Sequence, residues 1–158
     1  MPQKLIIRIA ICVTVCLLIS LFAAMATYSS VDTWYFSLKK PDFNPPNGVF
    51  SLILIIMNVL MGISAGIVWN RGFYHKWVKT ALYHFVFQLI LNTSWSILFF
   101  GLNLILPALL ISITLFIVLL FTFKWFKVVE PAAAYLLIPY VLWIAYATYL
   151  NFEIWRLN

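Results

Sequence analysis

Residues 104–123 read LILPALLISITLFIVLLFTF, twenty positions without a charged side chain. A helix of about 20 apolar residues crosses the hydrocarbon core of a bilayer, whereas a surface helix of a soluble domain would carry a polar face. The stretch therefore reads as a membrane span. Residues 48–69, GVFSLILIIMNVLMGISAGIVW, repeat the pattern, and apolar runs at 5–28, 80–100 and 132–155 complete it. The expected fold is an all-α membrane protein, a five-transmembrane-helix bundle forming one domain over residues 1–158.

Composition agrees. Apolar residues make up 65% of the chain and charged residues 9%, with a mean hydropathy of +1.05. That is too few charges to cover a water-soluble surface, so lipid is the main solvent and the spans leave no room for a soluble catalytic module. The net charge of +6 would raise the question of nucleic acid in a soluble protein. Here the basic residues flank the apolar runs, where they set topology and meet anionic headgroups, and nucleic-acid binding is not expected. Lys4, Arg8, Arg71, Lys76, Lys79, Lys124 and Lys127 fall on one side, against Lys39, Lys40 and Arg156 on the other. This asymmetry puts the N-terminus in the cytoplasm.

The basic start, apolar core and Ala24-Met25-Ala26 also resemble a secretory signal, but the run is longer than such a core, so a retained helix is expected. Residues 29–47, SSVDTWYFSLKKPDFNPPN, form the longest connection, stiffened by proline and aromatic residues. Shorter loops are expected at 70–79 and 124–131, with a tight turn at 101–103. Asn103 reads as a cap for span four, and Pro131 suits the first position of span five. Pro139 lies inside span five, where it should kink the helix and face protein. Gly62-x-x-x-Gly66 allows close helix approach, within the chain or in a homodimer. Cys12 and Cys16, one helical turn apart, do not pair.

Several chemistries lack their residues. Asp32, Asp42, Glu130 and Glu153 all lie near span ends, so no ion-coupled relay is expected. No nucleotide-binding, hydrolase or metal-site motif is present. No catalytic residue and no metal ligand set is expected. His84 is the one candidate haem ligand within a span, although a lone helical His reads first as a hydrogen-bonded structural residue. What remains is a polar and aromatic set at helical spacing. Asn92, Trp95, Ser96 and Phe99 share one face of span three, and Trp143, Tyr146, Ala147 and Leu150 share one face of span five. Asn58, one turn after Leu54, and Asn92 must hydrogen-bond inside the bundle. They serve either as interhelical glue or, beside Trp95 and Trp143, as walls for a flat apolar ligand.

Three blocks resemble a known family. WYFSLKKPDFNPP at 34–46 is similar to the WYxxLxKPxxxPP signature of the TspO/MBR family, the tryptophan-rich sensory and translocator proteins also called peripheral-type benzodiazepine receptors. QLILNTSWSILFFG at 88–101 resembles that family's QLxLNxxWxxxFFG segment, and LLIPYVLWIAYATYLN at 136–151 its LLxPYxxWxxxAxxLN segment. The resemblance implies a five-helix, usually dimeric membrane receptor that requires no cofactor. It implies binding of porphyrins and haem-like tetrapyrroles, of sterols in animal members, and of synthetic isoquinoline carboxamides. By position it implies a ligand site of Asn92, Trp95, Ser96, Trp143, Ala147 and Leu150, with Leu54 and Asn58 from span two and Trp34 and Pro45 from a lid. Leu54 stands where many members carry a tryptophan associated with light-dependent porphyrin breakdown, and Asn58 where they carry an aromatic. Binding without catalysis is therefore expected. A light- and oxygen-dependent porphyrin-degrading enzyme and a tetrapyrrole or lipid transporter are the alternatives. The C-terminal sterol motif is imperfect, with Leu150 and Arg156 present but Phe152 at its tyrosine position. A compact chain fits the bacterial cytoplasmic membrane, the alternative being the outer mitochondrial membrane of animal members.

Overall fold

The computed structural model describes residues 2–158, with Thr27, Val31, Asp32 and Asn47 described by their backbone alone; Met1, where the expected single domain begins, lies outside the described residues. Among the described residues, five helical passages are long and apolar enough to cross a membrane: Pro2–Ala26, Gly48–Asn70, Lys76–Gly101, Ile105–Val129 and Pro131–Leu157. The helices themselves are α1 (Pro2–Ser30), α2 (Asn47–Asn70), α3 (Lys76–Ser96), α4 (Ile105–Val129), α5 (Pro131–Leu136) and α6 (Ile138–Leu157), the last two forming one span. Helix α1 packs on α2, α3 on α4, and α4 on α6.

The pairing of α1 with α2 has a clear cause. A Cβ added to Gly62 would lie 2.4 Å from Val13 Cα, and one added to Gly66 would lie 2.5 Å from Ile9 Cα. Only glycine lets the two backbones approach this closely, so the small-residue motif is used inside the chain. Arg8 closes the same seam at its cytoplasmic end, donating from Nη1 to Asn70 Oδ1 at 3.1 Å and lying over the Trp69 ring. Deeper in the bundle, fully buried Gln88 accepts from Tyr140 Oη at 3.1 Å and donates toward Met61 Sδ at 3.5 Å, linking α3 to α6 and α2.

The predicted span boundaries shift in several places. Residues 124–129, expected as loop, continue α4, because the long stems of Lys124 and Lys127 can reach the interface while the helix goes on. There Trp125 stacks on Trp77 at 5.4 Å and buried Phe126 meets Phe85. Helix α3 likewise begins at Lys76 instead of Thr80. Asn103 is not the cap of α4: it sits at φ 58°, in the left-handed turn, and Leu104 precedes the helix without any side-chain cap. Pro131 does open α5. The kink expected from Pro139 falls at Leu137, whose N–H turns to the Ala134 carbonyl (2.9 Å). The Ala133 carbonyl takes its hydrogen bond from Ser64 Oγ of α2 at 2.6 Å, a partner supplied by protein where lipid offers none.

The 29–47 connection is shorter than the sequence suggests. Helix α1 continues to Ser30 and then opens into one wide turn over Val31–Tyr35, so that only residues 38–46 are irregular. A second wide turn, Ile97–Gly101, ends α3, its i→i+5 bond running from Leu102 N–H to the Ile97 carbonyl at 2.9 Å. At the opposite, cytoplasmic end, Arg71 and Glu130 form an ion pair that ties the α2–α3 loop to the α4–α5 corner.

Replacing Gly66 with Ala should lower stability in detergent by about 1–3 kcal/mol, the usual cost of overpacking. The matched control Gly48→Ala, where an added Cβ meets nothing within 4 Å, should leave the thermal midpoint by circular dichroism close to wild type. Equal midpoints for the two variants would refute the tight α1–α2 seam.

Candidate functional site

Toward the non-cytoplasmic end the helices do not close on one another. A cavity of about 300 Å³ lies between α1, α2 and α3 beneath the 38–46 loop. Its floor and sides are Asn58 and Leu54 of α2, with Asn92, Trp95 and Ser96 of α3. Its third side is α1, where Ser20, Ala23 and Ala24 recur at i, i+3, i+4 and present small side chains. Ile19 and Tyr28 of the same helix line the space as well. Pro45 and Tyr35 close the top, and Phe50 and Phe100 complete the aromatic lining.

The two wide turns shape this mouth. They carry Tyr35 and Phe100, whose rings meet edge to face at 5.4 Å, and Phe99, which lies parallel to Trp95 at 5.7 Å. Tyr35 Oη donates to Asn44 Oδ1 at 2.9 Å, and Lys40 Nζ lies 4.6 Å from the Tyr35 ring centre. Burial raises the Tyr35 phenol above its ordinary pKa.

Helix α6 holds the loop down. Tyr146 Oη donates to the Phe43 carbonyl at 2.7 Å, and Tyr149 stacks on Phe43 at 5.6 Å. Asn158 pairs with the Lys39 backbone in both directions: Lys39 N–H donates to Oδ1 at 3.0 Å, and Nδ2 donates to the Lys39 carbonyl at 2.9 Å. The Pro-rich segment is thus fastened at three points.

Of the residues singled out from sequence, Pro45, Leu54, Asn58, Asn92, Trp95 and Ser96 line the one cavity. Trp143 and Ala147 stand behind it, in a crevice of about 20 Å³ that shares Leu54, Asn58, Asn92 and Trp95. Trp143 meets Phe50 edge-on at 5.3 Å. Leu150 lines a further small crevice, and Trp34 lies outside all three, edge-on to Phe99 at 5.5 Å. Asn58 donates to Ser20 Oγ at 3.3 Å and to the Leu54 carbonyl at 2.8 Å, and it also lines the cavity. The sterol-motif residues do not form one patch. Leu150 is buried while Phe152 and Arg156 point outward, and Arg156 pairs with Glu153 at 2.5 Å. His84 Nδ1 bonds the Thr80 carbonyl of its own helix at 2.8 Å, between Phe121 and Trp125 and away from the cavity. No group of three metal-ligating side chains occurs among the described residues.

Sequence reasoning missed the α1 wall and Phe50. The Ser20-Ala23-Ala24 spacing was a usable signal for the wall, and Phe50 lies one helical turn before Leu54.

A family model described as "TspO/MBR family" matches residues 12–156. The chain is 34% identical over 156 residues to the tryptophan-rich protein TspO of Chlorobaculum tepidum, covering 99% of each chain. It is 37% identical over 153 residues to the protein of the same name from Archaeoglobus fulgidus, covering 97% of this chain and 98% of that one. It is also 35% identical over 131 residues to the human translocator protein, covering 79% and 75% respectively.

Tyr146→Phe and Asn158→Ala should each loosen residues 38–46, since each removes hydrogen bonds worth about 0.5–1.5 kcal/mol net. Amide hydrogen exchange at Lys39 and Asn44 should quicken severalfold while α4 is unaffected. Unchanged exchange in the double variant would show that the loop is held by other contacts.

Proposed function

This chain belongs to the TspO/MBR family, and from that premise we propose that it is a membrane receptor or sensor that binds a porphyrin-type tetrapyrrole in the cavity beneath its loop. It is a five-span integral membrane protein, consistent with the bacterial cytoplasmic membrane. The observation that carries the ligand reading is the cavity wall. Trp95 and Phe99 form a parallel aromatic pair, with Trp95 lining the space, Asn58 and Asn92 supply polar points, and α1 leaves an open flank of small residues. A few placed polar groups among apolar and aromatic ones are the usual makeup of a small-molecule pocket, and about 300 Å³ lies at the lower end of such volumes. A flat ring therefore enters best against the α1 flank. The same walls suit sterols or isoquinoline carboxamides, which share a broad apolar face.

Binding without chemistry is the leading reading. Breakdown of porphyrin under light is the second, favoured by the electron-rich Trp95 in the wall and opposed by aliphatic Leu54 across from it. A homodimer, which the family resemblance implies, would use another face, because Gly62 and Gly66 are already covered by α1.

Titration of the detergent-solubilised protein with protoporphyrin IX in the dark should quench Trp emission saturably at one site. Trp95→Ala should weaken binding by roughly three- to tenfold, the aromatic contribution beyond buried area. Linear quenching in both proteins would mean partition into detergent and sink the proposal. Illumination of the complex in air should bleach the porphyrin no faster than free porphyrin in the same detergent; a distinct product lost in Trp95→Phe would favour the enzyme instead.

A further inference from the structure

We propose that Asn151 and Trp95 form a polar subsite that recognises an uncharged oxygen substituent, a hydroxyl, on the edge of the bound ligand; the proposal rests on the ligand reading above. Asn151 is only 2% exposed, yet neither atom of its amide has a hydrogen-bond partner within the chain, and neither does Trp95 Nε1. Other polar side chains in the bundle interior are served: Asn58 bonds Ser20 and the Leu54 carbonyl, and Gln88 bonds Tyr140. Leaving a buried donor or acceptor unpaired costs more than its bond would contribute. Three such atoms on two side chains that line one space point to a group supplied from outside the chain.

That space is the crevice of about 20 Å³ between α3 and α6. It has room for about one oxygen atom. Tyr35, Phe50, Trp95 and Phe100 line both this crevice and the main cavity, so it is a side chamber of the same site. Its chemistry narrows the guest. The indole offers a donor only, and the carboxamide offers both a donor and an acceptor. A hydroxyl oxygen can accept from the indole N–H and donate to Asn151 Oδ1. A carboxylate cannot donate, and no charged side chain lines the crevice to offset its burial. A resident water has the same chemistry as a ligand hydroxyl, and the test must separate them.

Haematoporphyrin and mesoporphyrin serve as the probe pair, since the first carries 1-hydroxyethyl groups where the second carries ethyl groups on the same macrocycle. Dark titration of the wild-type protein should show haematoporphyrin binding roughly tenfold more tightly, the effect of one well-placed hydrogen bond. In Asn151→Leu and Asn151→Ala that ratio should fall close to one. A wild-type ratio near one means a structural water only and overturns the subsite; this arm needs no variant and decides even where a substitution prevents folding. A preference that persists in both variants overturns it equally. If neither porphyrin binds saturably, the tetrapyrrole reading fails together with the subsite, a result distinct from equal binding of the two.

Discussion

Inside a bilayer the solvent is as apolar as the helices, so burying leucine against leucine gains little, and helices associate through close packing and the few polar groups that lipid cannot satisfy. The structure depends on that constraint. Gly62 and Gly66 let α1 lie directly on α2, with Val13 and Ile9 backbone filling the place of their missing side chains. Gln88, Tyr140, Ser64 and Asn58 supply interhelical bonds that join α3 to α6, α2 to α5 and α2 to α1. Each is a polar group whose alternative partner would be hydrocarbon.

The cavity lies where α1 carries Ser20, Ala23 and Ala24 past α3, beyond the part of α1 that Gly62 and Gly66 admit against α2. The two wide helical turns then place Tyr35, Phe99 and Phe100 around the opening, and α6 ties the 38–46 loop across it through Tyr146 and Asn158.

Much of this was legible in the chain. Uncharged runs near 20 residues, bounded by Lys and Arg, identify spans because the bilayer thickness sets their length. Asn58, Asn92, Trp95 and Ser96 were marked as interior-facing by cost and periodicity alone, and the structure brings all four to one cavity. Span ends were less legible: residues 124–129 look like a loop because lysines interrupt the apolar run, but a lysine stem can leave the membrane while the backbone stays helical.

By itself the sequence determined the number of helices and the polar residues that had to be buried, since these follow from transfer free energies of individual side chains. The tertiary structure alone decided which helices are neighbours. That choice made α1 one wall of the cavity, set Trp143 against Phe50 behind it, and left Asn151 buried without a partner. The reason is geometric: helical periodicity says which face of a helix is special, but which other face it meets depends on how closely two backbones can approach, and here two glycines settle it.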